Sequence, residues 1–422
     1  MEKINFFLDN EDKEKLEKWY LNYHELDRDL EVVSVKKGII LPTLTIKETN
    51  KPIYFKGGVI DEKQNYIPLS GLYRDPLHIN KNFRYTLNEG YKVQEQKIEH
   101  SSEKIIYCGI FQKQWGHFLL ESTVRLWFYY KNPIHKIAFT TIDGNKPSKQ
   151  FSEAFKLLKI PDDKIIFIDK PTQFEEVIIP EVSFVLSNYA HKNFLTPFEK
   201  MSENVKPNTF KKIYISRTRF DQNKNIIGEE TFEKTFKENG FKIIYPEKLS
   251  VKEQISYIKG ADYIAGFISS GLHNSIFAKP GTNLIILEKF NLMNCSQCII
   301  NIIKKLKAVH IGVYYTFLPV SWSEGPFLVG ITENFIEYLK TEKFYKIPKL
   351  VRMSKDDIIV FIKQWGNKYK DKKYIPHSSI EECVALINKI FNKELTKDRT
   401  QPRSYFKKIT YYIKTLINKF KK

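Results

Sequence analysis

Four groups of side chains in this sequence have the types and spacing to do chemistry. His117, Glu121 and Arg125 stand four residues apart in and just after Trp115-Gly-His-Phe-Leu-Leu-Glu-Ser122. On a helix over 115–130 that spacing places all three on one face, with Phe118, Leu119 and Leu120 toward the core. A histidine beside a carboxylate can act as a general base with its orienting partner. The same three residues also make an ordinary surface ion pair. A second group is Gly266-Phe-Ile-Ser-Ser-Gly-Leu-His-Asn274, which leaves an apolar run and enters a short helix. Glycines allow close backbone approach, and a helix start offers free N–H groups to a phosphate. Ser269, Ser270, Gly271, His273 and Asn274 supply the polar atoms there. The pattern is not G-x-G-x-x-G, which argues against a dinucleotide site of the usual kind. A polar turn without a ligand has the same composition. Third, Ile213-Tyr-Ile-Ser-Arg217 ends a predicted strand on an arginine, a residue suited to bidentate phosphate contact or to a solvated surface. Fourth, Tyr245-Pro-Glu247 places a carboxylate at a strand end, where it can accept from a ribose, cap a helix or face water.

These groups need elements that bring them together. From residue 104 onward, short apolar runs alternate with amphipathic stretches. Strands are predicted at 104–108, 135–141 and 164–168, with helices at 115–130 and 149–158. After an irregular stretch at 190–210, strands are predicted at 212–216, 241–245, 262–266 and 283–288. Helices are predicted at 229–239, 250–259 and 271–278. Gly240 sits where a helix C-terminus favours glycine. Ser250 and Glu253 form a capping-box pattern. Strand–helix alternation implies parallel sheets. The expectation is an α/β chain of two Rossmann-like domains facing a cleft, joined by a weak interface that lets the cleft close. Residues 1–100 read as β-rich or irregular, punctuated by Gly57, Gly58, Pro68 and Gly71.

Composition narrows the classes. The chain has 422 residues, 42% of them hydrophobic, and a net charge of +19. That is enough apolar residue for more than one domain, and it excludes a disordered chain. A basic surface attracts polyanions without choosing among them. Four cysteines are too few for a disulfide scaffold, and Cys295-x-x-Cys298 lacks a second ligand pair for zinc. The start is charged, with no apolar signal region, and no run of about 18 apolar residues spans a membrane, so a cytoplasmic location is expected. Residues 396–422 carry nine Lys and Arg against Asp398 alone. Phe406, Ile409, Ile413, Leu416 and Phe420 recur there at helical spacing, the pattern of a membrane-surface helix or of a terminal helix packed on the body.

The four groups, in this order, resemble glycosyltransferase family 61, which includes bacterial capsular polysaccharide enzymes. The counterparts are His117 to Glu121, Ser216-Arg217, Pro246 through Gln254, and Gly266 through Glu288. The family's G-A-G-L appears here as Ser269-Ser270-Gly271-Leu272. Its N-E dipeptide after the arginine strand appears as Gly228-Glu229, which gives Glu229 less weight. The resemblance implies a glycosyltransferase of B-type architecture, inverting, with no cofactor and no obligate metal. No D-x-D sits at a strand end. It implies an acceptor domain over 1–205 and a nucleotide-sugar domain over 206–350. A helical segment at 351–395 is expected to pack back on the first domain. His117 or Glu121 is the base. Arg217, Ser269, Ser270, Gly271, His273 and Asn274 hold the donor's phosphates, and Glu247 and Glu288 its nucleoside. The expected partners are a nucleotide sugar, UDP-linked, a glycan or lipid-linked glycan, and an anionic membrane at 396–422, with the protein on the inner face of the cell membrane. Nucleic acid is not expected. Pyruvyl transfer to a polysaccharide, nucleic-acid binding through the +19 charge, and an inactive sugar-binding protein remain as alternatives.

Overall fold

The structure is a computed structural model. It describes residues 4–23, 25–46, 54–74, 84–142, 148–220, 226–291, 294–315, 320, 325–350 and 355–369. The expected tail helix at 396–422 and residues 370–395 lie outside the described residues.

Two sheets carry the chain. The C-terminal one has six strands, all parallel, in the order Asn5–Phe7, Lys307–Gly312, Asn283–Glu288, Tyr263–Phe267, Lys212–Ile215 and Lys242–Ile244. Counted from Lys212–Ile215, the neighbours run 2-1-3-4-5, a doubly wound order. Its strands read as continuous apolar runs because helices cover both faces; Ile264, Ala265, Leu284, Ile286 and Leu287 are wholly buried. The helix Glu229–Glu238 is followed by Gly240 at φ 81°, a left-handed position that suits glycine. The helix Val251–Gly260 opens on the expected capping box: the Ser250 hydroxyl accepts from the Glu253 N–H, and the Glu253 carboxylate accepts from the Ser250 N–H. The helix expected at 271–278 is the tighter 3₁₀ stretch Leu272–Phe277.

The chain's start joins this sheet. Asn5–Phe7 pairs with Lys307–Gly312, and the helix Asn10–Asn22 sets Leu16 and Tyr20 against Cys298. These residues therefore leave the N-terminal unit in which the sequence placed them. A three-residue edge strand carries too little periodicity to read.

The other sheet has nine strands and is mixed. Thr172–Pro180, Glu99–Phe111, Lys136–Thr141 and Ile165–Ile168 form its parallel part. Val32–Lys36 and Ile39–Ile46 run antiparallel to Thr172–Pro180, and Tyr54–Ile60 runs antiparallel to Ile39–Ile46. The α/β class holds, but this half is not a simple parallel sheet, because short connections in the N-terminal third join strands without crossover helices.

The single helix expected over 115–130 is broken. A helical turn at Trp115–His117 passes into a π-helical turn at Phe118–Ser122, and α-helix resumes at Leu126–Tyr129. The wider π turn alters the helical phase, so Arg125 does not join His117 and Glu121.

Among the described residues, the two halves meet through a broad apolar core and not the expected weak interface. One apolar cluster runs from Phe118, Phe151 and Phe155, through Phe194 and Phe198, to Ile255, Ile258 and Phe277. Residues 190–210 are not a plain linker: they include the 3₁₀ stretch Lys192–Leu195 and the helix Thr196–Ser202, whose Phe198 packs edge-on against Phe277. The helix Lys355–Tyr369 rests on Ile226–Ile227 and Phe327–Leu328, in the C-terminal half, and the Tyr369 hydroxyl donates to the Gly325 carbonyl. No described helix is long and apolar enough to cross a membrane.

Candidate active site

In a doubly wound sheet the ligand crevice lies outside the carboxyl ends of the strands where their order reverses. Here the reversal falls between Lys212–Ile215 and Tyr263–Phe267. Ser216-Arg217 follows the first strand, and the turn Ile268–Asn274 follows the second.

The broken helix of the first sheet meets this turn directly. Gly116 has no side chain, and a Cβ built there would lie 2.8 Å from Ser270 Oγ and 3.4 Å from His273 Cδ2. Trp115 Nε1 donates to Asn274 Oδ1 at 2.8 Å, and Asn274 Nδ2 donates to Gln254 Oε1 at 2.8 Å. The absence of a side chain at Gly116 thus brings His117 beside the turn.

His117 and Glu121 are a bonded pair, with Nδ1 to Oε2 at 2.6 Å. A residue the sequence reading did not single out completes the group. Arg74, on the strand Leu72–Arg74, forks onto the Glu121 carboxylate at 2.6 and 2.8 Å. Burial works to raise the Glu121 acid, but Arg74 and His117 outweigh it and hold the carboxyl down at about 2. With both oxygens engaged, Glu121 is a poor proton acceptor near neutral pH. If His117 Nδ1 donates to the carboxylate, the neutral ring presents a lone pair on Nε2. Arg125 is buried nearby, and its donors go to the carbonyls of Leu69, Gly71 and Pro180. It anchors the segment that leads to Arg74.

The strand-end cations form the second part of the site. The Arg217 N–H donates to Glu229 Oε1 at 2.9 Å, but its guanidinium has no hydrogen-bond partner among the described residues. It lies 5.3 Å from the Phe220 ring centroid. Lys289 follows the strand Asn283–Glu288 and is 8% exposed. Its ammonium sits 4.3 Å from the Phe327 ring centroid and has no ion pair or hydrogen bond among the described residues. Burial and the Arg217 charge push the Lys289 ammonium down to about 7. Burial likewise pushes the Glu229 acid up to about 7. Two cations without bonded partners among the described residues, within electrostatic reach of each other in a low-dielectric setting, could seat an anion. Lys289 and Glu229 carry more of this seat than the sequence suggested. Lys289 carries the same sequence signal as Arg217, a cation just past an apolar parallel strand.

The remaining expected residues are spread around the site. Ser269, His273 and Asn274 are buried in the turn, while Ser270 and Gly271 are partly open. Glu247 is exposed and lies within electrostatic reach of Arg217. Glu288 is buried; Oε1 accepts from His310 at 2.8 Å, and Oε2 has no partner among the described residues. Ser216 is structural, donating to Glu233 at 2.7 Å. The chain's one D-x-D, Asp27-Arg28-Asp29, precedes the strand Val32–Lys36, and its Arg28 pairs with Glu181.

Residues 115–285 match the model of the family described as Glycosyltransferase 61. The match spans the His117–Glu121 pair, Arg217, Glu229 and the Ser269–Asn274 turn, and it stops short of Glu288 and Lys289. No curated protein matches the chain. The match over residues 115–285 supports a glycosyltransferase of family 61.

Proposed function

We propose that this protein transfers a sugar from a nucleoside-diphosphate donor to a glycan hydroxyl with inversion, without a required divalent ion. The observation that carries the reading is the meeting of two chemistries. A carboxylate-oriented histidine abuts the turn at the switch point of a parallel sheet, and two cations without bonded partners stand at the strand ends there. In this reading the acceptor hydroxyl attacks the anomeric carbon. Its proton passes to His117 Nε2, and the imidazolium formed is stabilised by Glu121. The bond from the anomeric carbon to the phosphate oxygen breaks, and Arg217 and Lys289 meet the charge that develops on the leaving diphosphate. Glu247 and Glu288 are offered to the nucleoside, with the donor UDP-linked. The first sheet presents the acceptor and the second holds the donor, which corresponds to a division near residue 205. A surface polysaccharide is the proposed acceptor class. The basic segment 396–422 is the proposed tether to the inner, anionic face of a membrane.

The test is a thermal-shift panel of UDP, GDP, CDP, TDP and phosphoenolpyruvate on wild type, Arg217→Ala and His117→Ala. One nucleoside diphosphate should raise the Tm of wild type and of His117→Ala but not of Arg217→Ala. With the matching nucleotide sugar, His117→Ala should lose transfer. A shift with phosphoenolpyruvate alone would replace this reading with pyruvyl transfer.

A further inference from the structure

A chain of buried polar side chains runs from the active-site turn to the far strand end. His273 Nδ1 meets Gln297 Oε1 at 2.9 Å, and Gln297 Nε2 donates to Asn301 Oδ1 at 2.9 Å. Asn301 Nδ2 donates to the Tyr20 hydroxyl at 3.0 Å. That hydroxyl meets His310 Nε2 at 2.9 Å, and His310 Nδ1 meets Glu288 Oε1 at 2.8 Å. All six residues are buried, and Tyr20 comes from the helix Asn10–Asn22 at the chain's start.

The chain has a direction, because a carboxylate only accepts. His310 therefore carries its proton on Nδ1, and in the neutral ring Nε2 accepts from the Tyr20 O–H. The Tyr20 oxygen accepts from Asn301, Asn301 Oδ1 from Gln297, and Gln297 Oε1 from His273 Nδ1–H. Each link along the line then pairs one donor with one acceptor. Reversing any member sets two donors or two acceptors face to face in a dry interior. His273 is left with a bare lone pair on Nε2. The adjacent ring atom, Cδ2, is the one that packs toward Gly116, one residue before His117.

We infer that this relay fixes His273 as a hydrogen-bond acceptor in the active site, so that it holds a hydroxyl of a sugar ligand beside His117 and not a phosphate of the donor. This rests on the transferase reading above and changes the role the sequence suggested for His273. Burial pushes the His273 ring down to about 4, with the neighbouring His117 adding to the effect, so the ring stays neutral at physiological pH and offers a phosphate no charge. Phosphate oxygens only accept, and a bare Nε2 facing them is repulsive. A sugar hydroxyl donates, and that is the partner this nitrogen requires.

Three measurements test this. In ¹⁵N-histidine-labelled protein at pH 7, the His273 resonances, assigned by their loss in His273→Phe, should show protonated Nδ1 and unprotonated Nε2. In Tyr20→Phe that pattern should mix. A protonated Nε2 in wild type overturns the inference. In calorimetric titrations with UDP, GDP, CDP and TDP, His273→Phe should bind the nucleotide that wild type binds with Kd within about twofold, and loss of that binding would return His273 to the phosphates. With the corresponding nucleotide sugar, a Kd weakened about tenfold, the loss of one neutral hydrogen bond, assigns the hydroxyl to the donor sugar. An unchanged Kd with acceptor KM raised about tenfold assigns it to the acceptor. If neither changes, the inference is wrong. A wild-type protein that binds none of the four nucleotides overturns the transferase reading and the ligand assigned here, while the tautomer is still decided by the NMR spectrum.

Discussion

At the scale of single residues, Arg74 controls the state of the His117–Glu121 pair. Glu121 is buried, and its carboxylate stays ionised because Arg74 forks onto it. Arg74→Met would leave a buried charge with His117 as its one bonded partner. Removing one member of such a pair costs about 3–5 kcal/mol, so a drop of that size in urea-measured stability is expected. The sign in acid follows from the depressed acid. Glu121 stabilises the fold above its ordinary value of 4.5, and that stability is lost as pH falls toward about 2. Without Arg74 only His117 still depresses the Glu121 acid, and acid unfolding followed by circular dichroism should begin at higher pH. The proposed donor seat has its own pH dependence. Lys289 loses its proton and Glu229 loses its own near pH 7, and both changes make the seat less positive. Nucleoside diphosphate binding should therefore weaken from pH 6.5 to 8.5, with proton uptake visible as a dependence of the calorimetric heat on buffer. Lys289→Met should bind weakly throughout and lose its share of that slope, leaving the part that Glu229 contributes. The His117–Glu121 contact was legible because neighbours four apart still touch across a π turn. Arg74 was not legible, since 47 positions separate it from Glu121 and no local pattern marks it.

At the scale of elements, the proposed chemistry depends on how closely two turns approach. Gly116→Ala would put a Cβ 2.8 Å from Ser270 Oγ and push the His117 turn away from the Ser269–Asn274 turn. Overpacking of this kind costs about 1–3 kcal/mol. A shift of about 1 Å in a base can cost about 10²-fold in rate. The expected outcome is a kcat reduced by about that factor, with nucleotide Kd nearly unchanged. Loss of nucleotide binding together with kcat would mean that the contact supports the donor seat instead. The strand–helix rhythm over 212–288 was readable because its apolar strands alternate with amphipathic helices bounded by local residues such as Ser250 and Gly240. The break at Phe118–Ser122 was not, because an α-period and a π turn bury the same Phe118, Leu119 and Leu120. The placement of Asn5–Phe7 on the distant sheet is a long-range pairing that three residues cannot encode on their own.

At the scale of the molecule, the two sheets share a single apolar cluster, and this governs how the protein unfolds and moves. Domain motion is the default where an interface is small and polar, and it is suppressed where the interface is large and apolar. Here Phe118, Phe151 and Phe155 on one side join Ile255, Ile258 and Phe277 on the other, with Phe194 and Phe198 between them. The sequence pointed to a loose connection at 190–210 because Pro197 and Pro207 interrupt its rhythm, yet Phe194, Phe198 and Met201 from this stretch are core. Calorimetry should therefore show one cooperative transition for both sheets, although chains of this length often show more than one. Phe198→Ala tests the coupling, since that ring contacts Phe194 at 5.1 Å and Phe277 at 5.7 Å. Emptying the site should cost about 3–5 kcal/mol. If the cluster binds the halves into one unit, amide protection falls together in Glu99–Phe111 and in Tyr263–Phe267, and the transition stays single. Two separated transitions, or protection lost in one sheet alone, would mean that the halves fold separately. The closure of a cleft between them would then return as the means by which this enzyme excludes water from the transferred sugar.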